Sequence, residues 1–160
     1  MSVGDIYGGK VRVRACGLLF KEDKLLLLKH SSLGPKGYLW APPGGGVDFG
    51  VNARETLRKE FLEETGLEVS VKEFLFINEY RDPNYHAVEL FFRVIPTGGV
   101  VKLGHDPELP ADDQILTELA FISEQEVAQM DPETLHNILR EKPDFEDLNK
   151  LQGFFEFQRT

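Results

Sequence analysis

Cysteine is nearly absent from this chain: Cys16 is the only one, so no disulfide can form within it. Lying in an apolar run, Cys16 reads as a small buried hydrophobe, and a reducing cytoplasm is the expected setting. Positive charge is also scarce. The 18 Lys+Arg against 27 Asp+Glu give a formal net charge of -9, which repels a nucleic-acid backbone unless a metal or a local basic patch intervenes. Nucleic acid is therefore not an expected partner. Long hydrophobic runs are missing as well: no uncharged stretch approaches the ~20 residues that a membrane helix needs. The first ten residues hold Gly4, Gly8 and Gly9 and no apolar stretch of signal-peptide length. A soluble, unsecreted protein is expected, and a chain of 160 residues is enough for one domain with a substantial core.

What is present alternates between strand and helix signals. Val11 to Phe20 is β-branched and apolar, Glu22 and Asp23 interrupt it, and Lys24 to Lys29 resumes with four leucines, a pattern that predicts a β-hairpin. Ser31 to Tyr38 reads as a loop, followed by a short strand that runs into a glycine-rich turn at Gly44, Gly45 and Gly46. Asn52 with Glu55 three residues on is a capping-box signature for a helix, and Gly66 supplies its stop. Val69 to Tyr80 and His86 to Ile95 read as strands joined by a turn. Pro96 to Asp113 reads as a long loop with a short strand at Val100 to Leu103. Gln114 to Ile122 is strand-like, Ser123 with Glu126 repeats the capping box, and Asp131-Pro132 opens a further helix. Phe145, Phe154, Phe155 and Phe157 imply that the tail packs on something, and a homodimer contact through Phe154 to Phe157 is one expectation. Hairpin-compatible strands around one mid-chain helix, with helices at the end, argue for an α+β layered sandwich.

Glu60, Glu63 and Glu64 stand at i, i+3 and i+4 on that mid-chain helix and so share one face. Three like charges there repel, and a cation would relieve them. Carboxylates are hard oxygen ligands suited to Mg²⁺, which keeps waters and substrate phosphate oxygens in its other positions. The neighbouring glycines allow close approach, so their carbonyls can face a cation or their N–H groups a phosphate. The competing reading is that glutamates on a helix are surface decoration and a triple glycine only a turn.

The joint spacing decides between these. The stretch from Gly45 to Leu67, GGVDFGVNARETLRKEFLEETGL, resembles the Nudix box, G-x5-E-x7-R-E-U-x-E-E-x-G-U with U aliphatic. Gly45, Glu60, Glu63, Glu64, Gly66 and Leu67 match, and the resemblance extends over a core of about 10–130, with 131–160 as a C-terminal extension of the same domain. It implies an α/β/α sandwich with a mixed β-sheet between helices, and Mg²⁺-dependent hydrolysis of a diphosphate bond in a nucleotide derivative, Mn²⁺ being able to substitute. The implied metal ligands are Glu60, Glu63, Glu64 and the carbonyl of Gly44, with Glu60 alternatively activating the water. Glu108, Asp112, Asp113 and Glu118 are candidates for a general base on a later segment. Three positions depart from the pattern. Val51 replaces the first glutamate, Lys59 replaces arginine and lacks its two-pronged grip on a carboxylate, and Phe61 replaces an aliphatic residue. These departures motivate the alternative of a nucleotide-binding regulatory domain with weak turnover.

Pro83, 16 positions beyond Leu67, lies near where the ADP-ribose pyrophosphatase branch of that family carries a proline. Arg81 is a candidate for a substrate phosphate and Tyr80 for stacking on a base. Nucleoside diphosphate sugars and nucleoside triphosphates are the other substrate classes implied.

Overall fold

The computed structural model describes residues 3–160. Strand β1 (Val11–Leu18) follows a short helix α1 (Val3–Tyr7) and sits inside a five-stranded mixed sheet. It pairs antiparallel with β5 (Gly44–Gly46) and parallel with β7 (His86–Gly99). β7 pairs antiparallel with the long β6 (Leu67–Arg81), and β9 (Gly153–Gln158) lies parallel on the outer edge of β6. A second, antiparallel sheet is built on β3 (Lys24–Ser31), which pairs with β2 (Phe20–Lys21), β4 (Tyr38–Ala41) and β8 (Leu116–Ser123).

Helices cover this framework on both sides. On one side α2 (Ala53–Thr65) packs Leu57 and Phe61 against Ala15, Leu19, Leu26, Phe92 and Val94. On the other, α3 (Glu124–Gln129), α4 (Asn137–Arg140) and α5 (Phe145–Lys150) bring Val127, Leu139, Phe145 and Leu148 onto Leu18, Leu25, Leu27, Phe76 and Phe91. Because successive strand side chains point to opposite faces, this double cover explains why Leu25, Leu26, Leu27 and Leu28 are all fully buried. It is the expected mixed sheet between helices. Phe61 fits because its ring packs directly on Gly17, where a Cβ would stand 2.6 Å from the Phe61 ring.

Helix α2 starts and stops where expected. Asn52 Oδ1 accepts the Glu55 N–H at 2.9 Å, and Gly66, at φ 74°, donates its N–H to Leu62 O. Ser123 and Glu126 form the complete reciprocal box at the start of α3.

Four local expectations are corrected. The leucine hairpin reduces to Phe20–Lys21 against Lys24–Leu25, because the chain changes sheets after Leu18 so that each strand finds a longer partner. The three glycines are a strand, held to β1, rather than a turn. Val100 to Leu103 is not a strand. Its segment instead docks on the end of α2, with Lys102, Gly104 and His105 donating backbone N–H groups to the carbonyls of Thr65, Glu64 and Glu63. Asp131-Pro132 opens only a single 3-10 turn, Pro132–Thr134, since the Trp40 carbonyl takes the His136 N–H and a bridge ties Leu135 to Trp40. The phenylalanine tail packs as β9 on its own chain, leaving Phe154 55% exposed.

Candidate active site

A cleft of about 170 Å³ opens where the N-terminal ends of β1 and β7, strand β5 and helix α2 converge. Glu60 and Glu64 lie on its wall. Both are buried, at 9% and 4% exposure. Glu60 rests against Gly45 so closely that a Cβ there would stand 2.3 Å from its carboxyl carbon. That contact explains the glycine strand: any side chain at this position would push the carboxylate off the sheet. Glu64 Oε1 accepts the Gly44 N–H at 3.2 Å. Burial pushes the Glu60 carboxyl up to about 7, with Glu63, Asp106 and Glu108 adding to the effect. Burial and the Glu60 charge push Glu64 well above the usual carboxylate range, against the pull of Arg14 and the Gly44 N–H.

Glu63 shares their helix face but does not line the cleft. One of its oxygens meets Lys59 Nζ at 3.7 Å, and the other, Oε2, is buried without a hydrogen-bond partner. Among the described residues, no three acidic, histidine or cysteine side chains are gathered around a single point as they stand. The donor set nonetheless suits a hard divalent cation. Two buried carboxylates repel each other beside a third with an unpartnered buried oxygen, and the helix face and the Gly44 carbonyl offer oxygen ligands.

Behind the glutamates lies a second acidic group that composition alone did not reveal. Glu89, on β7, is 2% exposed and accepts hydrogen bonds from Arg14 at 2.6 Å, His136 Nε2 at 2.7 Å and Asn78 Nδ2 at 3.0 Å. His136 Nδ1 accepts the Ile138 N–H, so Nε2 carries the proton that faces Glu89. Burial alone would raise the Glu89 carboxyl, but His136, Arg14 and Asn78 together hold it well below its ordinary range. Arg14 also reaches the Gly44 carbonyl at 3.3 Å and so links the two acidic groups. Arg12, two residues earlier on the same strand face, lies over Gly46 and the Tyr7 ring and sits 3.8 Å from Glu108. Alternation of Arg12 and Arg14 with Val11 and Val13 in a strand was the available signal for this basic face, and Glu89 interrupting Ala87 to Phe92 was the signal for its partner.

The remaining sequence candidates separate clearly. Of Glu108, Asp112, Asp113 and Glu118, only Glu108 lines the cleft, and Glu118 pairs with Lys29 on the surface of β8. Tyr80 lines it too. Its hydroxyl donates to Asp82 at 2.6 Å, and its ring stacks on Phe157 with centroids 5.7 Å apart. Arg81 and Pro83 do not line the cleft: Arg81 donates to Gln158 at 3.3 Å along the sheet edge, and Pro83 sits in the turn between β6 and β7. His30 forms part of the wall, and its pKa is lowered to about 4 by burial and then by Arg14.

Comparison with known proteins places this geometry. The model of the NUDIX domain matches residues 10–141. This chain belongs to the Nudix family. A Methanocaldococcus jannaschii protein named ADP-ribose pyrophosphatase is 35% identical over 113 residues, covering 68% of this Nudix chain and 66% of that protein. A MutT-like protein of Streptomyces ambofaciens is 32% identical over 91 residues, covering 56% of this chain and 55% of that one. The chain thus spans somewhat under two thirds of the length of these curated relatives. A solved NUDIX hydrolase from Nitrosomonas europaea shares the fold with a TM-score of 0.70 at 16% identity, covering 89% of this chain and 93% of its own. No helix among the described residues is long and apolar enough to cross a membrane.

Proposed function

We propose that this Nudix protein hydrolyses the diphosphate bond of a nucleoside diphosphate derivative, with ADP-ribose as the leading substrate, and that Glu60, Glu63 and Glu64 hold Mg²⁺ or Mn²⁺ for the reaction. The observation that carries the reading is the pair of buried, mutually repelling carboxylates Glu60 and Glu64 against the Gly44–Gly45 backbone, both pushed up despite the pull of Arg14. The choice of ADP-ribose is supported by the name of the Methanocaldococcus relative at 35% identity. When bound, a divalent cation of this kind offsets diphosphate charge and lowers the pKa of water.

The chain's own groups divide the remaining work. Glu60 and Glu64, with Glu63 beside them on the helix, would hold the cation, and the Gly44 carbonyl, which now accepts from Arg14 at 3.3 Å, would be a further ligand. Arg12 offers a guanidinium that meets Glu108 only at a long 3.8 Å, and it is suited to a phosphate. Glu108 takes the proton of the attacking water, whose oxygen bonds to phosphorus as the P–O anhydride bond breaks. For ADP-ribose the products are AMP and ribose 5-phosphate. Apolar Leu39, Ala41, Ile115 and Leu135 limit water access from the floor of the cleft.

The test is incubation of purified protein with ADP-ribose, nucleotide sugars and nucleoside triphosphates in Mg²⁺, with chromatography of the products. Turnover of ADP-ribose above the others is expected. No turnover of any, with tight binding of one, would replace this reading by a regulatory domain. A homodimer joined along the open edge of β9 remains part of the proposal, and a monomeric mass by light scattering overturns that part.

A further inference from the structure

The cleft has a second end that the metal chemistry leaves unused. Opposite the glutamates its wall is Tyr80, Tyr85, His86, Phe157 and Arg159. Phe157 comes from β9, the strand furthest along the chain, and Arg159 follows directly after it. β9 is firmly placed: it pairs with β6 from Phe76↔Gly153 to Arg81↔Gln158, and the Arg159 N–H extends the ladder to Arg81 O at 2.8 Å. Alternation puts Phe155 and Phe157 on the same face. Phe155 lies edge-on to Phe76 at 5.8 Å and stays exposed away from the cleft, whereas Phe157 stacks beside Tyr80 and, half-buried, lines the cleft.

Two arginines flank Phe157. The guanidinium of Arg140 lies 5.1 Å from its centroid and that of Arg159 lies 5.7 Å away. Glu133 holds both, accepting from Arg140 Nη2 and from Arg159 Nη1 at 2.6 Å. With its end fixed, Arg159 still has a buried Nε without a hydrogen-bond partner. Buried N–H groups are ordinarily satisfied, so an orphan donor at a cleft wall marks a place for a ligand acceptor. Arg159 is thus braced like a binding residue: Glu133 anchors one end, the Tyr80 hydroxyl lies within its electrostatic reach, and Nε is left without a hydrogen bond.

We propose that β9 is the specificity element of the cleft, with Tyr80, Phe157 and Arg159 receiving the nucleobase of the substrate: the aromatic wall takes its flat face and Arg159 an acceptor on its edge. This inference rests on the proposed hydrolysis only for the orientation of the substrate, diphosphate toward Glu60 and Glu64 and base toward β9. A base suits this end better than a ribose phosphate, because a sugar offers no π-face to Tyr80 and Phe157 and both guanidiniums are already turned onto Glu133.

The two halves of ADP-ribose provide the probes, since AMP carries the base and ribose 5-phosphate does not. Calorimetric titrations of the full chain in Mg²⁺ would compare the wild type with Phe157→Leu, which keeps an apolar strand residue, and Arg159→Lys, which keeps the ion pair to Glu133. The wild type should prefer AMP by about tenfold or more, and both variants should lose that preference while binding ribose 5-phosphate as before. A preference for AMP retained in both variants, or no preference in the wild type, overturns the proposal. Hydrolysis of ADP-ribose, assayed alongside, separates the two claims. Turnover with an unchanged preference in the variants removes the base site alone, and a β9-dependent preference without turnover removes the hydrolase alone.

Discussion

Two buried acidic groups lie on either side of Arg14, and they are finished to different degrees. Glu89 has three close donors, and its carboxyl is held low. Glu60 and Glu64 are nearly as buried, yet Glu64 receives one backbone N–H, and both carboxyls are pushed up by burial and by neighbouring carboxylates. Burial costs a carboxylate the same solvation in either place, so the difference lies in what the chain supplies afterwards. A buried acid with its donors in place is part of the scaffold. One without them is what the proposed cation would complete.

The contrast can be broken most severely by exchanging charge for shape. Glu64→Gln keeps an acceptor for the Gly44 N–H but removes the ligand charge, and ADP-ribose turnover should fall by at least about a hundredfold, beyond the ~10–100-fold typical of losing an outer-shell partner of a metal. Its melting temperature without metal should not fall, because a repelling charge has gone. Activity close to wild type would defeat the assignment of this end of the cleft.

At the other acid the effect should appear in stability. Glu89→Ala leaves Arg14 without its partner, and urea unfolding should report a loss of about 3–5 kcal/mol, as for other broken buried pairs. A loss below about 1 kcal/mol would mean that water already reaches Arg14 and that the network is not closed.

Titration separates the two groups more finely. Glu60 has a folded value of about 7 against an ordinary 4.5. Between those values the folded protein keeps a proton that the unfolded chain has released, so metal-free stability should fall as pH rises from about 4.5 to about 7 and then level off. Melting temperatures in chelator across that range check the slope, and Glu60→Gln should flatten it. Mg²⁺, which binds the ionised form, should stabilise the protein most at the alkaline end.

The smallest change concerns the exposed neighbour. Lys59 and Glu63 form an i,i+4 pair at 3.7 Å with Lys59 largely in solvent. Lys59→Arg should therefore alter stability by no more than ~0.5 kcal/mol. A larger gain in metal affinity in that variant would show that Glu63 needs a firmer hold than lysine gives.

Helix α2 was legible in the sequence because its signals are local: Asn52 and Gly66 cap it, and the spacing of Glu60, Glu63 and Glu64 needs only the helical repeat. The turn between β6 and β7, and the capped start of α3, were legible for the same reason. What escaped depends on distant pairing. Gly44 to Gly46 have poor strand propensity, but side chains have little room there, since Gly45 lies against the Glu60 carboxylate and Gly44 against Ala15 and Cys16 of the strand it pairs with. Phe157 and Arg159 enter the cleft only through a parallel pairing with Tyr80 and Arg81, far back in the chain, which no window of sequence contains. Arg81 and Pro83 were attractive by composition, but the strand and turn carrying them point them along the sheet edge rather than into the cleft.

The segment from Lys102 to His105 hangs by its amides from the last carbonyls of α2. Glu108 follows only three residues later, so the proposed proton acceptor takes its bearings from the same helix that carries Glu60 and Glu64. Both shift together if that helix tilts.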